Sequence, residues 1–138
     1  DRETRIGKVL DQTAEKLTHR SLVVVLSDFF DDLTPVRRGL RHLRHRRHEA
    51  MVFQVLDPNE ITFPFEDPTR FVGLEAAGEL ITDPHALRES YLQQLEGATD
   101  KLRRDCRSMQ IDFARMSTGE PLDVALSNFL ATRSATMR

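Results

Sequence analysis

The densest apolar run in the chain is Leu22-Val23-Val24-Val25-Leu26, bracketed by Ser21 and Ser27 and followed by Asp28, Asp31 and Asp32. So short a run without a polar break predicts a strand buried on both faces, as in a parallel sheet covered by helices. A second run, residues 50–56, reads the same way and ends in an acid, Asp57, ahead of Pro58. A third, Ile111-Asp112-Phe113-Ala114-Arg115-Met116, alternates and predicts a strand more exposed on one face. Between the strands the period becomes helical. Ile6, Val9, Leu10, Ala14 and Leu17 share one face of a helix over about 4–18, which His19 and Arg20 close. Thr34-Pro35 predicts an N-cap and a first helical residue, opening a helix to about His48 that buries Val36, Leu40 and Leu43. Asp83-Pro84 opens a long helix over about 84–109. Its apolar positions Leu87, Tyr91, Leu95, Ala98, Leu102, Cys106 and Met109 recur every three or four residues, with Gly97 between them. After Pro121 a last helix carries Leu122, Ala125, Leu126, Phe129 and Leu130, and residues 131–138 read as a frayed tail.

The stretch 59–83 interrupts this alternation. Ile61-Thr62-Phe63-Pro64-Phe65 reads as a short extended segment at an edge. Residues 71–75 and 79–82 flank Ala76-Ala77-Gly78 as a small β-hairpin insertion. The order α-β-α-β-hairpin-α-β-α predicts an α/β fold of partial doubly wound, Rossmann type. Its sheet is mostly parallel, with right-handed crossovers and helices on both faces. The 138 residues make one domain, too short for two comfortable ones.

Composition narrows the function classes. An apolar content of 39% with 30% charged residues fits a soluble globular domain, and a net charge of −2 gives no overall pull toward nucleic acid or an anionic membrane. The single cysteine, Cys106, excludes an internal disulfide and suits a reducing, cytoplasmic setting. No run approaches the roughly 20 apolar residues that span a bilayer. The opening Asp1-Arg2-Glu3, without an initiator Met or a signal peptide, leads us to expect a piece of a longer chain.

In an open parallel sheet, ligands bind beyond the carboxyl ends of the strands. There the sequence places Ser27, Asp28, Asp31, Asp32, Asp57 and Thr118, an interaction rim of carboxylates and hydroxyls. Oxygen ligands of this kind suit a hard cation such as Mg²⁺. The same residue types after a strand are ordinary N-caps of the next helix. A metal-dependent hydrolase using Asp28, Asp31, Asp32 and Asp57 is one reading, but no nucleophile or general base accompanies them. The helix after the first strand offers a basic face of Arg37, Arg38, Arg41, Arg44 and Arg47. It suits phosphates or an acidic partner, or it is a solvated helix face. Nucleic-acid binding through this face is a further alternative, disfavoured by the near-neutral net charge and the lack of interleaved aromatics or glycines. His42 and His45 lack metal spacing, and Cys106 on the buried seam has no basic activator. No phosphate loop, nucleophile elbow or catalytic Cys/His pair is present, so the expectation is a protein that is not an enzyme.

Several short motifs, taken in order, resemble a known family. They are Ser27-Asp28-Phe29, Leu56-Asp57-Pro58-Asn59-Glu60, Pro64-Phe65, Glu75, Asp83-Pro84, Tyr91, Cys106 and Phe129-Leu130-Ala131-Thr132-Arg133. Together they resemble the bacterial family called domain of unknown function 58. That resemblance implies a divergent von Willebrand factor A-like domain, of which this chain looks like the C-terminal portion. Such domains often hold a divalent cation, here Mg²⁺ in the full-length domain, at a site built from three loops. Asp28 matches the aspartate of the third loop; the first two loops have no counterpart in this sequence, which implies an incomplete, weak site. The resemblance further implies a non-catalytic adaptor working with a MoxR-type AAA+ ATPase in complex assembly or metal insertion, in a parent that in some members is membrane-anchored. With the central strands missing, the 21–27 strand is expected to show an unpaired edge and to self-associate through it.

Overall fold

The structure, a computed structural model, describes residues 6–30, 32–62 and 84–136. Asp31, residues 63–65 and the expected hairpin at 71–75 and 79–82 lie outside the described residues. In chain order the elements are α1 (Ile6–Lys16), β1 (Leu22–Ser27), α2 (Leu33–His45), β2 (Glu49–Leu56), α3 (Pro58–Thr62), α4 (Pro84–Ser108), β3 (Asp112–Ser117) and α5 (Leu122–Thr136). The fold is mixed α/β around an open, all-parallel sheet of order β1-β2-β3.

Both crossovers step in the same direction across the sheet. Right-handed connections that do so place their helices on one face. That is where α2 and α4 meet: Val36, Leu40 and Leu43 of α2 share a core with Leu102 and Cys106 of α4, and with Val25, Ala50 and Val52 of the sheet. Helix α1 joins the same face through Leu10 and Ala14. Its contact with α2 is close because two glycines meet it. A Cβ on Gly7 would lie 2.6–2.7 Å from Pro35, and one on Gly39 would lie 2.6 Å from Leu10. Burial therefore follows Gly7, Leu10 and Ala14, and Val9, expected on the buried face, is 54% exposed. Inside this core Thr99 and Gln54, both buried, satisfy each other: the Thr99 hydroxyl donates to Gln54 Oε1 at 3.1 Å. The seam of α4 accordingly runs through Leu95, Thr99, Leu102 and Cys106, while Ala98 is exposed.

Among the described residues α5 is the helix that packs on the opposite face. Ala125, Leu126 and Phe129 cover Met51, Phe53 and Met116, with the Phe53 and Phe129 rings edge to face at 4.7 Å. Arg133 ties the helix to the sheet by pairing with both Glu49 of β2 and Asp112 of β3. Leu122 and Leu130 are exposed, and the helix continues to Thr136 instead of fraying after 130.

Several local expectations are corrected. Strand β2 is buried on both faces as its run implies, but β1 is not: Leu22, Val24 and Leu26 remain 49%, 46% and 60% exposed. They project to the face of α5, which reaches only β2 and β3. Helix α2 is capped by Asp32, whose Oδ1 accepts the Thr34 N–H, so Thr34 and Pro35 lie within its first turn. It stops at His45, because Arg47 adopts a left-handed φ of 66° and turns the chain into β2. Ile61 and Thr62 are helical in α3, not extended, because the Asp57–Glu60 pair caps that turn.

Candidate functional site at the carboxyl rim

Parallel pairing brings the carboxyl ends of all three strands to one rim, and the register sets their heights. Ser27 ends β1 opposite Gln54, whereas Leu56 pairs with Ser117, so β2 and β3 reach further than β1. Asp57 and Thr118 consequently stand together. The Thr118 N–H donates to the Leu56 carbonyl at 2.9 Å, and its hydroxyl lies 3.5 Å from Asp57 Oδ2.

The described rim carboxylates, Asp28, Asp32 and Asp57, are each committed to a nearby backbone N–H. Asp57 Oδ1 accepts from the Asn59 N–H at 2.9 Å, and Glu60 Oε1 accepts from the Asp57 N–H at 2.9 Å. This reciprocal pair is a capping box for α3. At the end of β1, Ser27 Oγ accepts the Phe29 N–H at 3.0 Å and Asp28 Oδ1 accepts the Phe30 N–H at 3.1 Å. These bonds hold Phe29 at a φ of 57°, uncommon for a bulky residue, with its side chain buried in the core. Phe30 points outward, 51% exposed, between the exposed carboxylates of Asp28 and Asp32.

Two further residues belong to the rim. The Tyr91 hydroxyl of α4 donates to the Glu60 carbonyl at 2.8 Å, and Arg88 Nε donates to the Thr62 carbonyl at 2.9 Å, so α4 clamps α3. Burial raises the Tyr91 phenol above its usual range, and the Glu60 and Asp28 carboxylates push the same way against Arg115. In the sequence Tyr91 shows as a seam position and Glu60 through the Asp57-x-x-Glu60 spacing, and both stand among the motifs of the family resemblance, but nothing there places them together. A shallow cleft of about 190 Å³ lies beside this cluster, between Phe29, Phe30 and Leu33 on one side and Tyr91, Leu95 and Ala98 on the other.

Among the described residues no group of three or more His, Cys, Asp or Glu side chains could hold a metal ion. Asp28 and Asp57 are engaged in separate turns.

The basic face divides. Arg44 is turned inward: its Nε donates to the Met109 carbonyl at 3.0 Å and its NH1 to the His48 carbonyl at 2.9 Å, tying α2 to the end of α4. Arg37 lies 3.8 Å from Asp105. Arg38 and Arg41 are exposed on α2, and Arg47 is exposed beyond its end. His42 sits between Asp11 and Glu15 of α1, 3.0 Å from each.

Cys106 is fully buried on α4. Burial, with a smaller contribution from Asp105, pushes its thiol up to about 12. Because the thiolate is the nucleophile, a thiol reagent at pH 8 is expected to label the native chain at least 100-fold more slowly than the unfolded chain. Equal rates would show that Cys106 is accessible. The sign for stability follows. A pKa raised by folding favours the neutral thiol, so this contribution is whole below about pH 8.5 and is lost as pH climbs toward 12.

The fold and rim define an open parallel α/β domain whose strand ends carry carboxylates held in turns. Residues 1–101 match the family described as Protein of unknown function DUF58, and the chain belongs to that family. The match ends within α4, so Cys106 and Phe129-Leu130-Ala131-Thr132-Arg133 lie beyond it. No curated protein and no solved structure matches the chain. Among the described residues no helix is long and apolar enough to cross a membrane.

Proposed function

We propose that this chain is a non-catalytic protein-interaction module, the C-terminal portion of a von Willebrand factor A-like domain, acting as an adaptor for a MoxR-type AAA+ ATPase in complex assembly or metal insertion. The observation that carries the reading is the surface around β1. Leu22, Val24 and Leu26 continue the buried apolar face of Met51 and Phe53 into solvent, and the strand runs on to the acidic rim at Asp28 and Asp32. Contiguous exposed apolar surface bordered by charge marks a place where another polypeptide docks. The carboxylates of Asp28, Asp32 and Asp57, which accept from nearby backbone N–H groups, supply shape and charge to such a surface. Helix α1, on the same face as α2 and α4, stands where a right-handed crossover into β1 would run, which supports the reading as part of a larger parallel sheet.

The test is affinity capture from a lysate of the source organism, comparing the chain with its Asp28→Ala variant. The expected result is enrichment of an AAA+ ATPase by the parent and at least about tenfold less with the variant. Equal capture by both moves docking away from the rim, and recovery of nucleic acid without the ATPase overturns the adaptor reading in favour of Arg38, Arg41 and Arg47.

A further inference from the structure

A basic cleft lies at the amino end of the sheet, where α4 finishes and β3 begins. Arg103, Arg107, Gln110, Ile111, Asp112 and Phe113 line about 420 Å³ of space there. Arginines near a helix C-terminus ordinarily serve the last carbonyls. Here those carbonyls have other donors. The Asp105 carbonyl accepts from the Ser108 hydroxyl at 2.7 Å and the Met109 N–H at 3.2 Å. The Cys106 carbonyl accepts from the Ile111 N–H at 2.8 Å, and the Arg107 carbonyl from the Gln110 N–H at 3.1 Å. Gln110 closes this turn with a left-handed φ of 58°. The Arg107 side chain is thereby released: it is exposed, and no ion pair or hydrogen bond engages it among the described residues. Arg103, one turn earlier, is held by Asp100 at 2.8 Å and by the Phe113 ring, whose centroid lies 5.4 Å from the guanidinium carbon.

We propose that this cleft takes the carboxylate of an acidic side chain from a partner polypeptide, gripped between Arg103 and Arg107. The proposal rests on the interaction-module reading and names the chemistry of one partner contact. Residues four apart on a helix stand side by side, with about 5–6 Å between Cβ atoms, so both guanidinium groups reach one ligand. Each offers parallel N–H donors that match the two oxygens of a carboxylate. The local charge selects the ligand. Asp100 pairs with Arg103, and Asp112 on the cleft wall pairs with Arg133, which leaves Arg107 as the uncompensated charge of the cleft. One carboxylate balances it. A phosphate dianion or a nucleic-acid backbone would instead set further negative charge against Asp100 and Asp112. The Phe113 ring already carries Arg103 on its face, so it offers no platform for a base. Ile111 and Phe113 give the methylenes of a glutamate side chain an apolar floor.

Fluorescence anisotropy of a labelled oligoglutamate peptide, titrated with the 138-residue chain, is expected to show saturable binding that an oligoglutamine of equal length lacks. The titration is run in physiological salt, which screens exposed charges beyond about 8 Å. Arg107→Glu is expected to weaken binding about tenfold or more, because an attractive charge at the ligand becomes a repulsive one. Arg104→Glu makes the same change in net charge on an exposed residue outside the cleft, and its affinity is expected to stay within about threefold of the parent. Circular dichroism of each variant separates loss of binding from loss of fold. Equal losses for Arg104→Glu and Arg107→Glu would overturn the cleft in favour of diffuse attraction. Absence of oligoglutamate binding by the parent overturns the proposal outright, and tighter binding of an oligonucleotide of equal charge overturns a polypeptide as the ligand. The ATPase capture with Asp28→Ala reads the opposite end of the sheet, so the adaptor reading and this cleft fail independently.

Discussion

Replacing Phe53 with alanine is expected to lower the unfolding free energy by about 3–5 kcal/mol, measured by urea denaturation. Phe53 is 1% exposed at the centre of the small core between β2 and α5, where it meets the Phe129 ring at 4.7 Å. Among the described residues Met51 and Met116 are the buried side chains that share its cluster, so few side chains can close over the cavity. Truncation therefore removes both the burial of a large aromatic and the contact that seats α5. The other core, which joins α1, α2 and α4 to the sheet, is left intact. The denaturation slope serves as a second reading: if α5 detaches before the rest unfolds, the slope falls as well as the midpoint. A loss below about 1 kcal/mol would show that α5 is not held by Phe53.

Leucine at position 7 is expected to cost about 3 kcal/mol and to lower Tm by roughly 10 °C. Helix propensity alone would favour leucine over glycine by close to 1 kcal/mol, so the sign is decided by space. A Cβ on Gly7 would come within 2.7 Å of the Pro35 backbone carbonyl, a neighbour with no rotamer to give way. Helix α1 must then move off α2 and uncover Leu10, Ala14 and Leu40, which are at most 4% exposed. Gly97 supplies the contrast. It lies inside α4, and a methyl group added there would meet nothing within 4 Å, so Gly97→Ala is expected to stabilise by up to about 1 kcal/mol. Destabilisation by both substitutions would mean that crowding does not explain the cost at Gly7.

How far the sequence carries the structure differs from element to element. Strand β2 is legible because its apolar run is covered on both faces, as such a run implies. Strand β1 has the same pattern, but a run of Leu and Val cannot state which helices reach it, and α5 stops at β2. The cap of α2 is ambiguous for a local reason: Asp32 and Thr34 are both capping residues, and proline is tolerated anywhere in a first turn. The rim follows from parallel strand direction alone, whereas the relative heights of Asp28 and Asp57 depend on a register that only the paired strands reveal. Arg44 looks in the sequence like one of five equivalent cations. Its inward role requires the carbonyl ends of α4 and the β2 approach to converge on it, which no spacing records. The close approach of α1 to α2 is hidden in two glycines that meet from different helices.

Phe29 joins two demands in one residue. Its backbone is held in a conformation that glycine would adopt without cost, yet its ring fills the core that glycine would leave empty. The turn bearing Asp28 and Phe30 therefore has a mechanical anchor: its direction cannot change without dragging a buried aromatic out of place. Force applied at the rim is transmitted straight to the packing of α2, so a partner that docks there meets a stiff lever and not a pliant loop.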